Sequence, residues 1–258
     1  MCTVILRVPE GPGPVRVLAI RDEDPAREWD PLGAWWPEAH PGVVGVRDRR
    51  AGGAWLAADS GARRLAVLLN RADAEPFEAE APRSRGDVVL GAVAGESPAG
   101  DPRTRAFNLV EVDAAGARVT SWDGAVLRRT ELAPGTHMIA HDDVDDPATA
   151  RIVRWLPDFA AADIESADLE HWSDAWLALL ERTAELPPTD DRAIVRDNRA
   201  HGVPTLSLLV CAATVGAGGV NAVYGELDEP GVWNRPVLEP PVAPDPADAA
   251  LEAEPSPR

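Results

Sequence analysis

The 258-residue chain is 45% hydrophobic and 26% charged, a composition that can bury a core and excludes disorder of the whole chain. Its formal net charge of −18 repels a phosphate backbone and excludes nucleic acid as a partner. All 25 basic residues are arginine, so Schiff-base chemistry and P-loop phosphate binding, both of which use a lysine, are excluded too.

Along the chain, short β-rich runs come first. Cys2–Val8 and Val15–Asp22 flank Pro9-Glu-Gly-Pro-Gly-Pro14, the pattern of an N-terminal hairpin. A proline- and tryptophan-rich loop with Trp29, Trp35 and Trp36 follows, then strands at Gly42–Arg47, Ala54–Asp59 and Leu65–Asn70. Turn chemistry between them points to an antiparallel meander. Ser84–Ala94 reads as a short helix, and Phe107–Val112, Ala117–Trp122, Val126–Leu132 and His137–Ala140 as further strands. Apolar residues then recur at three- and four-residue spacing, Ile152, Leu156, Phe159 and later Leu169, Trp172, Trp176, Leu180, which predicts amphipathic helices over 147–160 and 167–184. Two strands, Thr205–Ala212 and Val220–Leu227, close the domain. Blocks of strands and helices, without regular βαβ units, argue an α+β fold in which helices cover antiparallel sheets. The expected organisation is a single domain over 1–228 and a disordered, acidic, Pro-rich tail over 229–258.

The chain start lacks the features of a secretory signal, and no run approaches the ~18 uninterrupted apolar residues of a membrane span. Two cysteines at opposite ends, Cys2 and Cys211, form no metal clasp and no disulfide framework. A reducing cytoplasm and no integral membrane association are therefore expected. His137 and His141, with Asp142 and Asp143 nearby, sit in a strand-and-loop pattern that argues against a metal site. Trp172 and Trp176 lie on a helical apolar stripe and read as core.

Cys2 carries the sharpest chemical signal. A small residue in second position favours removal of Met1, which would leave Cys2 as the first residue. Its α-amine, with a free pKa of about 7.7–8, is then matched to take a proton from its own thiol, free pKa about 8.5. Nucleophile and base would come from one residue.

The residues around Cys2 extend this. Met1-Cys-Thr-Val-Ile5 followed by Arg21-Asp-Glu23, Gly52-Gly-Ala-Trp-Leu56, Ala66-Val-Leu-Leu-Asn-Arg71, Ser84-Arg-Gly86, Phe107-Asn-Leu109, Pro134-Gly135 and the Thr205–Val210 strand stand in the order of the NRDE family, also called the transport and Golgi organisation protein 2 family, which the chain resembles over residues 1–227. Ile20, Ala54 and the segment Ile139–Asp143 depart from its pattern. The family is regarded as similar to N-terminal-nucleophile hydrolases, so the resemblance implies an αββα sandwich. It also implies that Arg21 and Asp22 flank the nucleophile, Arg21 lowering the thiol pKa and Asp22 holding the α-amine. Asn70 stands at the strand end where related cysteine amidases place an oxyanion donor. Asn108 is a second candidate because it interrupts an apolar strand.

The expected function is hydrolysis of a small amide or acyl substrate by Cys2, which requires no cofactor. The alternative implied by the resemblance is a non-catalytic carrier of haem or of lipid or acyl-CoA on the same fold, with Cys2 or a histidine as a haem ligand. An inert relative with interaction roles alone is a third reading. Fold resemblance by itself does not choose among them.

Overall fold

Strand-forming residues dominate the first seventy positions, and in the computed structural model, which describes residues 2–74, 83–165 and 171–242, they build two antiparallel sheets. The first has the order β10-β1-β2-β11-β12, formed by β1 (Thr3–Val8), β2 (Val15–Glu23), β10 (Gly135–Ile139), β11 (Leu206–Gly216) and β12 (Gly219–Glu226). The second runs in sequence order through β3 (Trp29–Gly33), β4 (Val43–Asp48), β5 (Ala54–Asp59), β6 (Arg64–Asn70), β7 (Phe107–Asp113), β8 (Gly116–Trp122) and β9 (Leu127–Glu131). Strand β1 lies between β10 and β2, with Val4 opposite both Ile139 and Ala19. The chain start is thus held on both sides and does not fray as free termini do.

Alternation along each strand divides the core into layers. Val4, Leu6, Val17 and Ala19 of the first sheet meet Leu56, Val67, Leu69 and Val110 of the second in a core between the sheets. The opposite parity, Ile5, Leu18, Ile20 and Val210, packs under α2 (Ala150–Ala161) and α3 (Ser173–Thr183) through Ile152, Trp155, Phe159, Trp176 and Leu180. On the far face, α1 (Arg85–Ala94) sets Val89, Leu90 and Val93 against Ala57, Ala66, Leu68 and Phe107. The layer order is helix, sheet, sheet, helix, an α+β arrangement as expected. Trp176 is wholly buried, edge-on to both Phe159 and Trp172 at centroid distances of 5.7 and 5.5 Å, as its place on the apolar stripe requires.

Three expectations change. The loop expected around Trp29 contains strand β3, and Trp35 and Trp36 act as covers over glycine gaps: Trp35 lies on Gly33 and Trp36 on Gly45, with their indole N–H groups donating to the carbonyls of Pro31 (2.7 Å) and Gly52 (2.8 Å). The helix expected from 167 begins at Ser173, and 167–170 fall outside the described residues. The tail expected from 229 returns to the domain. The N–H and C=O of Glu239 pair with those of Tyr224 at 2.8 and 2.9 Å, Val242 N–H donates to Leu32 O at 2.8 Å, and Trp233 and Leu238 pack against the core beneath α2 and α3. Unpaired backbone groups of β12 and β3 accept this segment, which outweighs its low intrinsic order. The rest of the expected tail, 243–258, is outside the described residues.

Candidate functional site

The β1–β2 hairpin sets Thr3 opposite Ile20, which carries Cys2 to the level of Arg21 and Asp22. The Cys2 thiol is 5% exposed. Its Sγ accepts from the Asp22 backbone N–H at 3.4 Å and donates to the Asp22 carbonyl at 3.7 Å. Cys2 lines a cleft of about 720 Å³, to which Arg21, Asp22, Asn70, Trp55 and the first turn of α1 also contribute.

Strand alternation sends the neighbours in two directions. Arg21, 2% exposed, turns toward the second sheet, where its guanidinium lies 5.6 Å from the Trp29 ring centroid and 3.5 Å from Glu23. Thr3 and Asp22 turn toward the helices. Thr3 Oγ1 accepts from Arg151 Nη1 at 2.9 Å. The Asp22 carboxylate accepts from Ser207 Oγ at 2.6 Å and from Asn198 Nδ2 at 3.4 Å. Both donors are oriented in turn by the buried Arg196, whose N–H donates to Ser207 Oγ at 2.9 Å and whose Nε donates to Asn198 Oδ1 at 3.0 Å. Asp22 is therefore a fixed acceptor with a supporting layer behind it.

The thiol's electrostatics differ from expectation. Burial pushes the Cys2 pKa up, and the α-amine at the chain start and Arg21 pull it down less strongly. Desolvation outweighs the guanidinium because the thiolate would lose its hydration in a closed site. The resting group is a neutral thiol. Arg151, 2% exposed, is lowered to about 10 by burial, with Arg196 adding repulsion and Asp22 and Cys2 opposing it. It remains a cation under Cys2 at neutral pH.

Asn70 ends β6 and lines the cleft. Asn108 does not line it. Its Nδ2 donates to Asp142 O at 2.6 Å, and its Oδ1 accepts from Ser121 Oγ at 2.7 Å and Arg71 Nη1 at 3.4 Å. At 0% exposure, Asn108 is a clamp between β7 and the segment after β10, and its amide is committed to that work. His137 likewise serves structure, its Nδ1 2.6 Å from Asp145 Oδ2 and its Nε2 2.9 Å from Ala133 O. Among the described residues no cluster of potential metal ligands forms.

Two motifs find their reason in a backbone contact that shapes the cleft wall. A Cβ on Gly53 would lie 2.6 Å from Gly86 C and Cα, and one on Gly86 would lie 2.8 Å from Gly53 C and Cα. Only two glycines allow β5 and the start of α1 to approach so closely. Ser84 caps that helix, its Oγ accepting from Gly86 N–H at 3.2 Å, and thereby fixes the helix N-terminus at the cleft.

Sequence reading missed Arg151, Arg196, Asn198 and Ser207. The one available signal was polarity inside apolar runs, as for Ser207 within Leu206–Val210. No curated protein matches the chain. The model of the family described as Transport and Golgi organisation 2 matches residues 1–202, a span that includes the Cys2 hairpin, the Gly53–Gly86 contact and Asn198 but not Ser207. With more than half of its length covered, and the cleft motifs within the match, this chain belongs to the Transport and Golgi organisation 2 family.

Proposed function

We propose that the protein is a cysteine hydrolase of the N-terminal-nucleophile type, acting on a small amide or acyl substrate through Cys2 after removal of Met1. The observation that carries this reading is the position of Cys2: buried at the end of an internal strand, bonded to Asp22, and lining a cleft shared with Arg21 and Asn70. The helix–sheet–sheet–helix layering agrees with the N-terminal-nucleophile hydrolase fold. In the reaction the Cys2 α-amine accepts the thiol proton as Sγ attacks the acyl carbon. The tetrahedral oxyanion is met by the Asn70 amide. Collapse expels the leaving group with the proton taken from the amine, and water, deprotonated by the same amine, hydrolyses the thioester and restores the thiol. A neutral resting thiol suits this route, because proton transfer and attack then proceed together without a buried thiolate waiting for substrate.

A haem carrier draws less support from the geometry. The cleft residues offer a macrocycle the Cys2 thiol as an axial ligand, no histidine, and only Trp55 and Leu68 as sizeable apolar surface, whereas porphyrin faces need apolar walls.

Intact mass and a thiol-directed activity probe test the proposal together. Loss of Met1, probe labelling of Cys2 and turnover of a small amide that disappears in Cys2→Ala are the expected results. Retention of Met1 in the purified protein, or turnover unaffected by Cys2→Ala, overturns it.

A further inference from the structure

The chain as a whole carries a net charge of −18. The Cys2 cleft is the reverse. Six arginines line it, Arg21, Arg27, Arg50, Arg83, Arg85 and Arg105, against three carboxylates, Asp22, Glu23 and Asp48. Much of the acidic side is already committed: Asp48 meets Arg27 at 2.5 Å, and Asp22 accepts from Ser207 at 2.6 Å. On the basic side, Arg105 meets Asp73 at 3.2 Å, while Arg85 donates to the Ala106 carbonyl at 3.1 Å. Among the described residues, the exposed side chains of Arg50 and Arg83 meet no carboxylate.

A second, independent feature points the same way. Arg21 is 2% exposed, and its Nη1 is buried with no hydrogen-bond acceptor among the described residues. A buried charged donor left without a partner loses its hydration and gains nothing in return. Trp29 and Glu23 already lie beside the guanidinium, and Arg21 lines the cleft, so a ligand in the cleft is the acceptor its free Nη1 lacks. The Ser84-capped N-terminus of α1 adds a partial positive charge at the same wall, offset in part by Asp87 in its first turn.

We propose that this cleft is an oxyanion-binding site and that its ligand is a small anionic molecule bearing a carboxylate or phosphate group, held by Arg21, Arg50 and Arg83. The inference takes the cleft to be the substrate site proposed above, so it names the substrate class: an amide or acyl compound with an anionic tail. The guanidinium groups of Arg21, Arg50 and Arg83 around about 720 Å³ suit a planar or tetrahedral oxyanion, which accepts bidentate donation. They suit an uncharged acyl chain poorly, since the arginines would lose water without gaining a partner.

Two measurements on the full-length protein test this, with the Arg50→Gln/Arg83→Gln double variant as comparison. The first is the melting temperature in inorganic phosphate and in succinate, each against chloride at equal ionic strength. The second is Cys2 alkylation by iodoacetate, which is anionic, and by iodoacetamide, which is neutral. We expect phosphate, succinate or both to raise the melting temperature of the wild type and not of the variant, and the anion that does so identifies the group bound. We also expect the iodoacetate-to-iodoacetamide rate ratio at Cys2 to exceed that of free cysteine by about tenfold, and to fall to the free-cysteine value in the variant and in high salt. If neither anion shifts the wild type more than the variant, the anion site is overturned, whatever the reactivity of Cys2. If the shifts occur while Cys2 resists both reagents, the anion site stands and the hydrolase reading falls.

Discussion

At the scale of single residues, the Cys2 thiol combines three conditions that pull against one another: burial, a bonded Asp22 and a nearby Arg21. Burial prevails and raises its pKa, so thiolate forms only as pH climbs past the ordinary thiol range of about 8.5. Labelling of Cys2 by iodoacetamide should therefore keep rising above pH 8.5. Cys211, also buried, is likewise pushed up by desolvation, and it does not line the cleft. At pH 7 we expect Cys2 to react at least about tenfold faster than Cys211, measured by peptide mapping after timed alkylation. Equal rates, or a plateau for Cys2 below pH 8, would contradict this ranking. Cys2 was legible through its second position together with the family resemblance, which also pointed to Arg21 and Asp22. Asn198 and Ser207 were not legible, because they reach Asp22 from 176 and 185 positions away, and nothing local in their segments marks that meeting.

At the scale of elements, the cleft wall depends on the close approach of β5 and α1. Two opposing tendencies act on Gly86→Ala. Alanine favours the helix by up to about 1 kcal/mol, but its Cβ would lie 2.8 Å from the Gly53 backbone and 2.9 Å from Ala54 N. Backbone cannot rotate away as a side chain can, so overpacking should win and leave a net loss of about 1–3 kcal/mol. Gly91→Ala on the same helix is the control. Its Cβ would find only Glu96, no closer than 3.4 Å, so the variant should be neutral or slightly stabilised. Chemical denaturation of the two variants checks both signs, and equal effects would show that the contact does not constrain the wall. The strands and helices themselves were readable because alternation and helical spacing are local. Strand β3 was not, since Pro31 and a cluster of tryptophans disguise it and its pairing with β4 is what makes it a strand.

At the scale of the whole molecule, the segment after β12 ties the two sheets together. Glu239 pairs with Tyr224 of the first sheet and Val242 with Leu32 of the second, and Arg235 reaches Glu181 at 3.2 Å. Ending the chain after Asp228 removes these hydrogen bonds and the packing of Trp233 and Leu238. At roughly 0.5–1.5 kcal/mol for each bond, the melting temperature should fall by about 5–10 °C. Ending it after Val242 should leave the melting temperature nearly unchanged. Scanning calorimetry of both truncations decides the matter, and similar values for the two would show that 229–242 contributes nothing to stability. Composition, periodicity and turn chemistry determined the fold class and most of the order of elements, because these depend on neighbours in the chain, and the family resemblance marked Cys2 as the candidate nucleophile. Only the tertiary structure decided which polar groups surround that cysteine, that Asn108 is a clamp, that the Pro-rich segment packs, and that an acidic protein holds an arginine-lined cleft. Each of those depends on side chains far apart in sequence meeting in a desolvated space, where burial and pairing set the energies.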